Sequence, residues 1–425
     1  MHIAPRLARR TPFFYGWAIL GAAGSAYFVR NAAASLTLAI FMFPVADELG
    51  WSRTLIAGAA SVGGLAAAGA SPIAGWLVDR YGARLVLGVS VLILGLSTIS
   101  LAWATVPFAF YIAYGTGRVM FSSPFQIGAT VVVSRWFVRR RGRAQGLLFI
   151  AHSAGMTAFP LIAAAMIHAY GWRQAWVVLG LLVWGVALAP VWLMIVQRPE
   201  DVGLKPDGID DTSGSAPDGG RPLPAEPVWS LREAMRCPAL WLLAIAIGSL
   251  FLVQAGTNIH QAAYFRDLGL SAGIAAAGLS LNAIFAGIGG VAWGWMSERV
   301  PVRYVFAAVA LVMSVSSALF LSVSSPGEAL AVAALFGFSL GGIVVLPSVA
   351  FADYFGRSSL GTIRGVTEPF VSLGQAVGAV LSGAIYDVTG SYHAAFLTFA
   401  ALSALTILTL LVAKPPTRSQ PAGTA

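Results

Sequence analysis

The chain alternates long apolar runs with short breaks of charge, proline or glycine. Reading each run between its breaks predicts helices near residues 14–44, 53–77, 84–104, 107–134, 144–168 and 172–196. After a polar stretch, further runs predict helices near 238–265, 271–297, 303–323, 328–353, 362–387 and 391–413. About 20 residues of helix cross a hydrocarbon core of ~30 Å, so each run is long enough to span a bilayer. The pattern predicts an all-α polytopic membrane protein: an N-terminal six-helix bundle over 1–196, a linker loop over 197–237 and a C-terminal six-helix bundle over 238–425. Arg6, Arg9 and Arg10 before the first run could mark a signal peptide. That run is too long for a cleaved apolar region, and so many follow that it reads as the first span.

The two sets are related. An offset of 219 residues places Leu49-Gly50-Trp51-Ser52 on Leu268-Gly269-Leu270-Ser271, Gly75-Trp76 on Gly294-Trp295, Asp79-Arg80 on Glu298-Arg299 and Arg84 on Arg303. It also places Gly142, Gly146, Ser153, Gly155 and Gly171 on Gly361, Gly365, Ser372, Gly374 and Gly390. Parallel six-helix repeats of this kind form a central site between the halves and rock between two open states.

Composition agrees. Hydrophobic residues make up 58% of the chain and charged residues 10%, against roughly 25% charged in soluble domains. Too little polar surface remains to coat a globule in water. The formal charge of +9 is distributed by side: 21 Lys and Arg fall in the termini, the linker and one set of loops, three in the other loops and two within spans. The positive-inside rule then places both termini in the cytoplasm and explains the basic balance without a nucleic acid partner. The linker, with Asp210, Asp211 and Asp218 among Gly, Ser and Pro, reads as flexible.

Several chemistries drop out. Cys237 is the single cysteine, so disulfide frameworks and thiolate clusters are excluded. His2, His152, His168, His260 and His393 lack metal-ligand spacing. Lys205 and Lys414 are each followed by proline, so no phosphate loop exists and a built-in ATPase is excluded. No nucleophile–base pair points to an enzyme, and no cofactor or metal is implied. Glycine pairs such as Gly63-Gly64 and Gly289-Gly290 read as helix contacts.

The segment Gly75-Trp-Leu-Val-Asp79-Arg80-Tyr-Gly82-Ala-Arg84 resembles the signature that follows the second helix of the major facilitator superfamily, with Ala83 where that family usually has a basic residue. Gly294-Trp-Met-Ser-Glu298-Arg299 is its weaker echo. These resemblances imply gating roles for Asp79, Arg80, Arg84, Glu298 and Arg299. A second segment, Trp136-Phe137-Val-Arg139-Arg140-Arg141-Gly-Arg143-Ala144-Gln-Gly146, looks like the fifth-helix signature of the monocarboxylate porters, with Arg143 where leucine is usual. Tyr15-Gly16-Trp17 and Asp387-x-Thr-Gly390-Ser-Tyr392 are similar to that family and to its bacterial oxalate/formate-exchanger relatives, which implies an inner (plasma) membrane location. The resemblance implies a small organic anion as partner, most simply a monocarboxylate, moved with a proton or exchanged for another anion. Two departures stand out. The eighth helix lacks the family's usual arginine and offers Ser280 and Asn282, and the eleventh holds no basic residue past Arg364.

Charges within a span cost at least ~2.5–3.5 kcal/mol on insertion scales, so each requires a reason. Arg118 shares a stripe with Tyr114, Ser122 and Gln126; it either lines a cavity or binds helix-end carbonyls. Arg30 lies mid-helix beside Asn31, one turn from Tyr27, and its guanidinium suits a carboxylate. Gln254, Asn258 and Gln261 share a face of the seventh helix, with His260 adjacent as a wall residue. Glu368 is a candidate for proton coupling, with pairing to Arg364 as its structural alternative, and His152 is a second titratable candidate. Asp353 and Asp387 read as solvated anchors. The favoured function is proton-coupled symport of the anion. Drug or metabolite efflux by proton antiport is the alternative in another class, disfavoured because the first half has two buried arginines and no buried acid. A transport-like sensor is the third, for which the short tail after Lys414 offers no signalling domain.

Overall fold

The computed structural model describes residues 11–208 and 227–416. Arg6, Arg9, Arg10 and the linker acids Asp210, Asp211 and Asp218 lie outside them. Among the described residues, eleven helices are long and apolar enough to cross a membrane. The chain is an integral membrane protein. The region predicted as a span near 107–134 forms two helices, Pro107–Ser122 and Pro124–Trp136, neither of which reaches that length alone. Pro124 has no N–H to give the preceding turn, and its ring pushes Ser123 off regular helical values, to φ −115° and ψ −78°. The Ser123 hydroxyl donates to the Ala67 carbonyl at 2.7 Å, which fastens the break to the second span.

The first span is broken too. Gly16–Val29 passes through a 3-10 turn, Arg30–Ala33, and resumes as Ser35–Leu49. Ala34 is extended, at φ −70° and ψ 148°. Carbonyls freed by such a break must find donors. Thr37 donates to the Asn31 carbonyl at 2.7 Å and Tyr114 to the Ala33 carbonyl at 3.1 Å. Other spans run longer than the apolar pattern suggests, notably Arg53–Tyr81, Arg141–Tyr170 and Leu360–Thr389. Asp79, Arg141 and Arg143 therefore stand on helices rather than in loops.

Helix packing repeats across the halves. In the first half the second span packs on the fourth, the first on the fifth and the third on the sixth. Eighth on tenth, seventh on eleventh and ninth on twelfth are their counterparts. Ser52 and Ser271, one offset apart, cap the second and eighth spans, accepting from Leu55 and Ile274 N–H at 3.1 and 3.3 Å. Between halves, the second span packs on the eleventh and the fifth on the eighth.

Residues 11–15, 195–208, 227–237 and 413–416 lie at one end of the bundle, here called the proximal end. The beginning of the linker is ordered against it, contrary to the flexibility its composition suggests. Asp207, at φ 59°, accepts from the N–H groups of Val138, Arg139 and Arg140 at 3.0, 2.8 and 3.2 Å. Gln197 accepts from the Ala83 N–H at 2.6 Å.

Candidate functional site

Arg30 is the centre of the polar interior. The 3-10 turn carries it, and only 3% of it is exposed. Its Nη1 donates to Gln126 Oε1 at 2.5 Å and to the Phe121 carbonyl at 3.3 Å, and its Nε lies 3.4 Å from His152 Nδ1. The rings of Tyr27 and Phe121 cover it at 3.9 and 4.6 Å. Tyr27 donates its hydroxyl to the same Gln126 oxygen at 2.7 Å. Every hydrogen-bond partner of this guanidinium among the described residues is neutral, and Nη2 donates to none of them. A buried, permanently charged group in such company is incompletely compensated.

From the other half, the eleventh span presents Glu368, 6% exposed, paired with Arg364 Nη2 at 3.1 Å. Glu368 is buried, and its charge acts on Arg30. Arg364 is itself 3% exposed and stands over the Phe351 ring at 5.9 Å. The eleventh span thus brings a buried cation to the interior, although no basic residue lies past it. Arg30 and Arg118 are not the only cations held within spans, since Arg135 and Arg141 are buried there as well.

Other candidates divide between lining and scaffold. Arg118 donates to the Ala33 carbonyl at 3.4 Å and stacks on the opposite partner of Arg30, the Phe121 ring, at 4.8 Å. With Tyr114 it caps the broken end of the first span, which is the helix-carbonyl alternative. Asn31 is fully buried, donating to the Tyr27, Phe28 and His152 carbonyls at 3.3, 3.1 and 3.2 Å. It ties the first span to the fifth, and His152 links it to Arg30. Ser122 is half-buried beside the fourth-span break. In the second half, Asn282 donates to Asn258 Oδ1 at 2.9 Å and to Gln261 Oε1 at 3.2 Å, while Gln254 accepts from Gln375 at 3.4 Å. His260 meets the Tyr392 hydroxyl at 3.1 Å and the Ala379 carbonyl at 3.2 Å, as a wall residue would.

The halves are joined at the proximal end by two seams related by the repeat. Asp79 accepts from the N–H groups of Gly361 and Thr362, at 3.1 and 2.6 Å, at the start of the eleventh span, and pairs with Arg135 at 2.7 Å. Glu298 accepts from the Arg143 N–H at 2.9 Å, at the start of the fifth span, and pairs with its Nε at 2.7 Å. Each acid thus meets the positive end of a helix dipole in the other half. Close approach requires glycine: a Cβ on Gly75 would overlap the Gly361 carbonyl, and one on Gly142 would overlap the Gly294 carbonyl. Arg141 pairs with Asp353 at 2.5 Å and so adds to the seam, while the Asp353 side chain remains solvent-exposed, as expected of an anchor at a span end. Arg80 and Arg299 stack instead on Trp76 and Trp295, at 5.4 and 3.7 Å, and take no part in the seams. Arg84 lies in the same proximal region, where its charge acts on the Tyr15 hydroxyl.

Asp79→Asn strands the 1%-exposed Arg135 without its carboxylate. Breaking a buried pair in this way costs up to ~3–5 kcal/mol. We expect the proximal seam to open about tenfold or more often, read as faster proximal-side labelling of a Gln254→Cys probe in a Cys237→Ser background. An unchanged labelling ratio would refute the seam assignment.

Two features of this site escaped the sequence. Gln126 was visible only as part of a stripe, and nothing in the fourth span marks it as the partner of Arg30. Arg143, a departure from the resembled pattern, proves to be the partner of Glu298, a signal the offset of 219 carried because Asp79 and Glu298 are equivalent positions.

Comparison with known proteins agrees with this architecture. The chain is 27% identical over 364 residues, covering 81% of it and 80% of the relative, to the membrane sensor protein UhpC of Salmonella typhimurium. It is 25% identical over 334 residues, covering 75% and 73%, to an oxalate:formate antiporter of Oxalobacter formigenes. It is 26% identical over 335 residues, covering 77% and 72%, to monocarboxylate transporter 13 of Rattus norvegicus. Among solved structures, the fold is similar to the human organic anion transporter MFSD10, with a TM-score of 0.68, 14% identity, and coverage of 94% of this chain and 100% of that one. It is also similar to the transporter FucP in the outward conformation, with a TM-score of 0.67, 14% identity, and coverage of 93% and 98%. The Major Facilitator Superfamily matches residues 19–367 and 243–425. With two seamed six-helix halves and that match along its length, the chain belongs to the Major Facilitator Superfamily, a family of transporters rather than enzymes.

Proposed function

We propose that this chain carries a small organic anion, most simply a monocarboxylate, together with a proton, by alternating access. The observation that supports the anion is Arg30: buried, hydrogen-bonded to neutral groups, with no bond from its Nη2 among the described residues. Glu368, the buried acid within its field, is the proton carrier in this reading, and His152 the second candidate. With the seams closed at the proximal end, the site faces the distal side. Asp79 and Glu298 are then the gate that must part for release. The printed names of the antiporter and the monocarboxylate transporter are in keeping with an anionic cargo. Uptake by purified protein in liposomes, with labelled carboxylates and an imposed pH gradient, tests the proposal. A second reading, a solute sensor, is favoured by the similarity to UhpC. Specific binding without flux in the same liposomes would select it.

In this reading the proximal end is cytoplasmic, which the arginine distribution supports. Cysteines introduced at Asp218 and Glu328 should then label from opposite sides of the membrane. Labelling of both from one side would overturn this orientation.

A further inference from the structure

The seventh, eighth and eleventh spans of the second half carry a ladder of neutral amides. Gln254 accepts from Gln375 at 3.4 Å, and Asn258 accepts from Asn282 at 2.9 Å. Gln261, fully buried, accepts the same Asn282 amide at 3.2 Å and so fixes its direction. In each pair the carbonyl oxygen is consumed while the amide N–H groups of Gln254 and Asn258 donate to no protein group among the described residues. Gln375 keeps its carbonyl oxygen in turn. Gln254 and Asn258 are half-buried and Gln375 is exposed, on membrane-spanning helices. Polar groups left accessible at such depth are costly against lipid and belong on a wet cavity wall.

The ladder is also in register with the charged site. Gln375 follows Glu368 by seven residues, two turns along one helix face, ~10 Å distal to it. Gln254 and Asn258 are one turn apart on the seventh span. An anion held by Arg30 would therefore extend its far end along a wall of spare donors and acceptors. An alkyl chain would bury those amides unpaired, whereas hydroxyl groups would satisfy both kinds.

We propose that the anion is hydroxylated: a sugar acid or hydroxy acid, with its carboxylate on Arg30 and its hydroxyls on Gln254, Asn258 and Gln375. This rests on the anion reading above and narrows it. The test is equilibrium binding to the purified full chain by calorimetry, with gluconate, galactonate and glucuronate compared against hexanoate and sorbitol. At least one hydroxylated acid should bind about tenfold tighter than hexanoate, and sorbitol should not bind. Gln254→Leu and Asn258→Leu should erase most of that ratio by weakening the hydroxylated acids while hexanoate binds at least as tightly as before, which a merely misfolded variant could not do. Hexanoate binding as tightly as every hydroxylated acid would overturn this inference and leave the anion reading standing. Tighter binding of sorbitol than of any acid, or binding of no acid, would sink both.

Discussion

Arg30→Gln should abolish anion binding while the protein still inserts, purifies and melts near the wild-type temperature. The side chain removed is bonded to Gln126, Phe121 and His152, none of which is charged. Its loss breaks no ion pair, and Glu368, which also feels the Arg30 charge, keeps its pairing with Arg364. An anion entering this interior sheds hydration, and truncating one partner of a buried charge pair costs ~3–5 kcal/mol, a hundredfold or more in affinity. Arg30→Lys keeps the charge but loses the planar fork and the stacking on Tyr27 and Phe121, so about tenfold weaker binding is expected. Arg118→Gln is the contrasting variant. It removes a cap from the broken first span and should lower the melting temperature, with transport falling in proportion. Calorimetric affinity and thermal unfolding, measured on the same preparations, separate the two. Normal folding of both Gln variants together with wild-type anion affinity would end the anion-transporter reading.

Glu368→Gln should remove pH-driven uptake, by tenfold or more, and preserve exchange of anion for anion. Glutamine retains an acceptor for Arg364 but carries no exchangeable proton. The pair spans i and i+4 on one helix, 3.1 Å apart, so the substitution needs no rearrangement of the backbone. Coupling is a relation between two binding events, and deleting one partner leaves the other intact. Glu368→Asp, which keeps a titratable group, should retain part of the coupling. If Glu368→Gln takes up anion under a pH gradient like the wild type, the proton role passes to His152 or to the cargo itself.

Much of this architecture was written in linear patterns. Apolar runs gave the spans, and the 219-residue offset gave the symmetry that the packing pairs obey. Arg30 was legible because an intramembrane charge violates a strong rule, whatever surrounds it. Its setting was not legible. Gln126 lies 96 residues away, and polar residues of this kind are found in many membrane helices without such a partner. Arg118 looked equivalent to Arg30 in depth and type. Only the break at Ala34 supplied the carbonyl that claims it.

The sequence by itself determined that this chain spans a membrane, that it is two copies of one six-helix pattern, and that cations are placed where lipid forbids them. Each of these follows from local free energies: transfer of apolar surface, the cost of a charge in hydrocarbon, the spacing of glycine. The tertiary structure alone decided which charges are compensated. Arg135 found Asp79, Arg143 found Glu298 and Arg364 found Glu368, but the hydrogen-bond partners of Arg30 and Arg118 are all neutral. Except for Arg364 and Glu368, those pairings join residues far apart in the chain, brought together by helix packing. Compensation depends on distances of a few ångströms, which no local pattern encodes.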